Sequence, residues 1–249
     1  MLKRLIALPH VERVRAFVQG QGWLLLGIAG VSGLVLLFLR LADEVVDGET
    51  EAFDRAILLL FRDPNNIDKV LGPPWVQEMV RDITAIGSFS ILGLIVAGVV
   101  IFLLMTKMRA AALLILVSVL GGTLLSTFLK MGYNRPRPDL TTMSVQFTSS
   151  FPSGHAMLSA VTFLTLGAVL AQLAPTIRIR IFCLGLAMFL TLLVGLSRLY
   201  MGVHFPSDVL AGWCLGAAWA LLCSSVAVAL QRRGKVEQPV DAGEVEVSR

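Results

Sequence analysis

From Trp23 to Leu39 the chain reads WLLLGIAGVSGLVLLFL, without one charged side chain. Five further apolar runs follow, over residues 88–105, 111–129, 156–174, 181–197 and 209–230, and most are joined by short connections. A helix needs about 17–25 such residues to cross a hydrocarbon layer ~30 Å thick. A water-soluble domain is excluded on composition: hydrophobic residues are 56% of the chain and charged residues 15%, against about 25% charged in soluble domains. The expected fold class is all-α, a six-span transmembrane helical bundle.

The first run follows 22 residues of polar character and ends in Leu39-Arg40-Leu41-Ala42-Asp43, with no small-x-small cleavage signal, so it reads as a retained span rather than a signal peptide. Cys183, Cys214 and Cys223 fall inside runs and match no metal spacing, which suits small apolar residues in packed helices. Lys and Arg gather at alternate connections: Lys3, Arg4, Arg13 and Arg15, then Lys107 and Arg109, then Arg178 and Arg180, then Arg232, Arg233 and Lys235. The positive-inside rule puts these segments and both termini in the cytoplasm, and six spans put them on one side. The net charge of +4 is thus spread over span ends; the expected partner is a bilayer and not a nucleic acid. The organisation is a cytoplasmic segment over 1–22, a membrane domain over 23–230, and a cytoplasmic tail over 231–249 whose polarity predicts disorder.

The one long connection, 42–87, carries ten acidic residues against four basic ones. Within it Phe53, Ile57, Leu60 and Phe61 recur at helical spacing, as do Trp75, Val76, Met79, Val80 and Ile83 after Gly72-Pro73-Pro74. Two short amphipathic helices are expected, either lying on the outer leaflet or capping the bundle. Gly212 and Gly216 form a Gly-x-x-x-Gly pair, which allows close helix approach and in a polytopic chain points to intramolecular packing.

Three stretches on the non-cytoplasmic side are too polar for their position: LKMGYNRPRPDL (129–140), FPSGHAM (151–157) and GLSRLYMGVHFPSDVL (195–210). They bring Lys130, Arg135, Arg137, His155, Arg198, His204 and Asp208 to the ends of four spans. Singly these have ordinary readings. Lys130 and Arg198 can snorkel, and Asp208 can be a first-turn acid with Ser207 as N-cap. Together they require a common cause, because ionisable groups at membrane depth are costly. His155, His204 and Asp208 suggest metal ligands, but the surrounding cations would repel a divalent ion. A dense anion fits better: guanidinium forks match phosphate oxygens, and the Pro152-Ser153-Gly154 corner offers backbone N–H groups at a helix start. His204 and Asp208 stand four apart, so Asp208 can accept from Nδ1 and leave Nε2 as a nucleophile. His155, on another span, can protonate a leaving oxygen.

Lys130 with Arg137-Pro138, Pro152-Ser153-Gly154-His155, and Ser197-Arg198 with His204 and Asp208 resemble, in order and spacing, the three-part signature of the type 2 phosphatidic acid phosphatase superfamily. That superfamily also includes bacterial acid phosphatases and vanadium haloperoxidases. The resemblance implies a phosphohistidine on His204, orientation of it by Asp208, and general acid catalysis by His155. It implies phosphate binding by Lys130, Arg137, Ser153, the Gly154 amide and Arg198, with no metal and no cofactor. Arg137 occupies the signature position, which leaves Arg135 for headgroups or structure. The implied substrate is a lipid phosphate, such as undecaprenyl diphosphate, phosphatidic acid, phosphatidylglycerophosphate or a lipid A phosphate. It would be met at the outer face of a bacterial plasma membrane. The same residues would serve a lipid phosphotransferase, while a non-catalytic lipid-phosphate binder or transporter would need only the cations.

Overall fold

The computed structural model describes residues 9–140 and 148–232. Eight helices make up nearly all of it: α1 (Pro9–Val46), α2 (Glu51–Leu59), α3 (Pro74–Ile86), α4 (Phe89–Met105), α5 (Arg109–Gly132), α6 (Gly154–Leu173), α7 (Ile177–Tyr200) and α8 (Pro206–Arg232). Five of them are long and apolar enough to cross a membrane, α1 from Leu24 onward and α5 to α8 entire. The 17-residue α4 follows α3 across a 49° bend, and taken as one span the two make a sixth candidate crossing. Each of the six apolar runs is helical, and the helices on 111–129, 181–197 and 209–230 extend beyond their runs at both ends. The largest extension is in α1, where 38 residues of helix, about 57 Å at 1.5 Å per residue, continue back through most of the polar segment assigned to 1–22. Residues 233–249, expected to be disordered, lie outside the described residues.

Helix starts follow local chemistry. Ser88 Oγ accepts from Ile91 N at 3.3 Å, Ser153 Oγ from Ala156 N at 3.5 Å and Thr176 Oγ1 from Ile179 N at 3.4 Å, each satisfying a first-turn N–H that has no intrahelical partner. α8 opens at Pro206, whose missing N–H costs nothing at a first helical position. Ser207 therefore lies inside the first turn and is not its N-cap. Asp208 reaches back instead, accepting from Phe205 N at 2.9 Å, the return half of a capping box.

α6 is the centre of the bundle, with 56% of its apolar window buried. It is small-sided, with Gly154, Ala156, Ser159, Ala160 and Thr162 in its first half, so neighbours approach it closely. Gly212 and Gly216 of α8 are the clearest case. A Cβ on Gly216 would stand 2.6 Å from both Ala160 Cβ and Met157 O, and one on Gly212 would stand 2.7 Å from Ser153 O. The pair is thus an intramolecular seam between α6 and α8. On α5, Leu113, Val117, Leu120, Leu124, Phe128 and Met131 form an exposed ridge at helical spacing, whereas Ala112, Ile115, Ser118, Gly122 and Ser126 face inward. That inside-out pattern suits a lipid solvent. Cys183, Cys214 and Cys223 are free thiols on α7 and α8.

The connection from α1 to α4 differs from expectation in two respects. Its two short helices form as α2 and α3, but between them β1 (Arg62–Asp63) and β2 (Asn66–Val70) make a small antiparallel hairpin. In its turn Asn65 N donates to Asp63 Oδ1 at 2.9 Å and Asp68 N to Asn66 Oδ1 at 3.1 Å, local bonds typical of Asx side chains. The facing is also partly reversed. Phe53 (51%), Leu60 (67%) and Trp75 (64%) are exposed, while Asp54, Leu58 and Thr84 are buried. The amphipathic pattern assumes water outside. Here the polar side chains are drawn inward by ionic partners on the bundle, and exposed apolar groups carry little cost beside a membrane.

Candidate active site

The segment that covers one end of the bundle is fastened to it through buried polar contacts. Arg62 of β1, 2% exposed, donates to Tyr200 O at 3.0 Å and Leu140 O at 3.4 Å, which joins the hairpin to the end of α7 and to the chain after α5. Tyr200 Oη returns a bond to Leu71 O at 2.5 Å. Gly202, with φ +68°, passes so close to Arg62 that a Cβ would stand 2.0 Å from Nη2. Only glycine fits this approach and this backbone region without strain.

Beneath the cover, the ends of α5, α6, α7 and α8 converge. His204 lies in the turn between α7 and α8, fully enclosed at 2% exposure. Its Nδ1 faces Asp208 Oδ2 at 3.4 Å, and its Nε2 is 3.2 Å from Arg137 Nη1. A guanidinium only donates, so Nε2 is the acceptor and carries no proton; the ring proton is on Nδ1, directed at Asp208. Burial pulls the His204 imidazole down to about 4, against the raising effect of its bond to Asp208. At neutral pH this histidine is uncharged, with an unprotonated Nε2 whose lone pair faces Arg137 Nη1.

Asp208 is held from several directions. Its Oδ1 accepts from Arg135 Nη1 at 2.6 Å, and its Oδ2 accepts from Phe205 N and from Ser150 Oγ as well as facing His204. Ser153 N donates to the Asp208 carbonyl at 3.0 Å, so the first turns of α6 and α8 are locked together. Arg137 is oriented by carbonyls: its Nη1 donates to Val203 O at 3.0 Å and its Nε to Thr148 O at 2.9 Å. Lys130, at the end of α5, donates to Ser149 O at 2.9 Å and lies against Gly154, where a Cβ would meet Lys130 Cε at 3.2 Å. His155, one residue into α6, is within electrostatic reach of Arg198, His204, Lys130 and Arg137. Arg198 is 3% exposed; its Nη1 donates to Thr84 Oγ1 of α3 at 3.0 Å, and its buried Nε has no partner among the described residues.

The structure therefore brings Lys130, Arg137, Ser153, Gly154, His155, Arg198, His204 and Asp208 to one place. Among the described residues, Lys130, Arg137 and Arg198 have no carboxylate within 4 Å; the ion pairs nearby are those of Arg135 with Asp54 and Asp208 and of His204 with Asp208. Three cations gathered without an anion make a site short of negative charge. No group of three or more His, Cys, Asp or Glu side chains able to hold a metal occurs among the described residues.

Arg135, set aside in the sequence for headgroups or structure, is structural and central. Its guanidinium lies 4.4 Å from the Phe205 ring centroid, with Nη1 on Asp208 and Ser207 and Nη2 on Asp54 and Thr50. Asp54, Thr84 and Ser150 were not singled out from sequence. The one available signal was for Asp54, an acid beside Phe53 on the first amphipathic helix, at a position that the apolar spacing skips.

Comparison with known proteins agrees with this geometry. Residues 111–232, which contain all these positions on α5 to α8, match the PAP2 superfamily. Phosphatidylglycerophosphatase B of Bacillus subtilis is 30% identical over 184 residues, covering 74% of this chain and 87% of that protein. The chain belongs to the PAP2 superfamily. A crystal structure of a transmembrane PAP2-type phosphatidylglycerolphosphate phosphatase from Bacillus subtilis superposes with a TM-score of 0.72 at 29% identity, over 81% of this chain and 98% of that one. The chain is therefore an integral membrane member, built as a helical bundle. An undecaprenyl-diphosphatase of Sulfolobus acidocaldarius is 38% identical over 96 residues, and a lipid A 1-phosphatase of Rhizobium johnstonii is 34% identical over 113. Those two matches span about two fifths of each relative (40% and 42%). Each of these relatives is named as a phosphatase.

Proposed function

We propose that this PAP2 protein hydrolyses a lipid phosphate through a phosphohistidine on His204, without a metal. The observation that carries the reading is the pairing of an uncharged, Asp208-oriented His204 with three cations that lack an anion. A phosphate entering among Lys130, Arg137 and Arg198 supplies the missing charge, and the unpartnered Arg198 Nε gains an acceptor. The Gly154 amide and Ser153 at the α6 N-terminus add donors.

His204 Nε2 attacks phosphorus as the bond to the leaving oxygen breaks, and His155, which takes up a proton beside the negative charge of the bound phosphate, gives that proton to the leaving oxygen. Asp208 stabilises the positive charge that develops on the His204 ring. In the second half His155, now neutral, takes a proton from water; the water oxygen attacks phosphorus, the P–N bond breaks, and inorganic phosphate leaves. Positioning and charge neutralisation are what phosphoryl transfer asks of a protein, and each step is provided by a named side chain. No step requires a divalent ion, and the cations around the site disfavour one. The Lys and Arg distribution supports cytoplasmic termini and a site on the outer face, where the lipid headgroup would be met.

Among lipid phosphates, phosphatidylglycerophosphate is the first candidate, because the relative matched over most of its length is named for it. The test is phosphate release by the purified protein, in EDTA, from phosphatidylglycerophosphate, phosphatidic acid, undecaprenyl diphosphate and a lipid A phosphate. Release from at least one lipid in EDTA is expected, with His155→Ala lowering kcat by roughly 10²–10⁴-fold. Activity that appears only when a divalent ion is restored would overturn the metal-free mechanism.

A further inference from the structure

The carboxylate of Asp54, on α2 of the covering segment, is 0% exposed and 81 residues before its partner Arg135. Among the described residues, all the polar contacts it makes are with groups that adjoin the proposed nucleophile's support. Oδ2 accepts from Arg135 Nη2 at 2.7 Å and from Ser207 Oγ at 2.6 Å, and Oδ1 accepts from Ser207 N at 2.9 Å, within the first turn of α8. A buried carboxylate is tolerated only with such pairing. α2 lies outside residues 111–232, the region that matches the superfamily.

We propose that Asp54 is a positioning residue for phosphate transfer, acting through Arg135 on Asp208; this rests on His204 being the nucleophile. Two physical arguments support it. The first is geometric. The guanidinium is a rigid planar fork, so fixing Nη2 on Asp54 fixes the direction in which Nη1 meets Asp208 Oδ1 at 2.6 Å. That leaves Oδ2 turned to His204 Nδ1. The second is electrostatic. Arg135 on its own would neutralise Asp208, the group that must stabilise positive charge on the His204 ring during transfer. Asp54 shares that guanidinium, and the two carboxylates with one cation keep a net negative charge behind the nucleophile. The covering segment thus contributes to the rate of the chemical step as well as to enclosing the site.

Asp54→Asn keeps the size and one acceptor oxygen for Ser207 N while removing the charge that offsets Arg135. With phosphatidic acid in detergent micelles, kcat is expected to fall about 10–100-fold while KM stays within threefold, an effect of the size that follows misplacement of a catalytic group. Glu51→Gln, exposed on the same helix, is expected to leave both unchanged. Adding Arg135→Gln to Asp54→Asn should lower kcat no further, since both act through one link. Should Asp54→Asn fail to fold, Ser207→Ala removes the hydroxyl that bridges Asp54 and Arg135 with little structural demand. It is expected to lower kcat about 2–10-fold at constant KM, the milder end of the same effect. Folded variants with wild-type kcat, or a loss expressed in KM alone, would overturn the proposal. His204→Ala in the same assay separates the two readings. If it is inactive while Asp54→Asn and Ser207→Ala are normal, only the role of Asp54 fails; if it remains active, the nucleophile assignment fails first.

Discussion

His204, the proposed nucleophile, shows how much of a side chain's behaviour is fixed by its immediate surroundings. Burial removes the water that would stabilise imidazolium, Arg137 lies against Nε2, and Asp208 faces Nδ1. Of these, burial dominates and holds the ring near 4, below the ~6.5 of a free imidazole. The sign follows: from about pH 6.5 down to about 4 the unfolded chain binds a proton at this position that the folded one does not, so acid destabilises the fold over that range. The chain has three histidines, so the His204 ring resonance can be assigned by its disappearance in His204→Gln. Its titration midpoint in detergent is expected near pH 4, and a midpoint at 6.5 would contradict the enclosed site. The histidine, its acid four residues on and the PSG corner were legible in sequence because their spacing is local. Asp54 was not. Its partner lies 81 residues away, and no periodicity records a contact made by two elements docking.

At the scale of elements, the covering segment is where sequence and structure diverge. The two short helices were legible from apolar spacing, and their inward face was not. Pattern reading takes the apolar side as the buried one, but Asp54 and Thr84 are drawn in by Arg135 and Arg198, which leaves Phe53, Leu60 and Trp75 outside. The hairpin between them was invisible because its strands are two and five residues long, too short for alternation to register. Its anchor is the close passage of Arg62 over Gly202. Gly202→Ala places a side chain in the left-handed region, at a cost of about 1–2 kcal/mol, and forces Arg62 out of its carbonyl pocket. The expected result is a lower unfolding temperature in detergent together with faster proteolysis between β1 and α3. Unchanged proteolysis of that segment would show that Arg62 does not fasten the cover.

For the whole molecule, the long apolar runs led directly to the bundle, since a bilayer leaves a helical chain few alternatives. The site was legible at this scale too. Its polar stretches fall at the ends of four spans, and alternating charge puts those ends on one side before any contact is known. What sequence did not provide was the balance of charge within the site. Arg135 is paired with Asp54 and Asp208, whereas Lys130, Arg137 and Arg198 have no carboxylate within 4 Å among the described residues. In the proposed mechanism either water or another hydroxyl can receive the phosphoryl group, and the shared step is formation of the phosphohistidine. The most direct measurement is to incubate the protein with a ³²P-labelled lipid phosphate, quench in alkali, where phosphohistidine survives, and map the label by peptide sequencing. Label on His204, absent along with turnover in His204→Ala, is the expected result. Label on another residue, or undiminished phosphate release by His204→Ala, would contradict the mechanism.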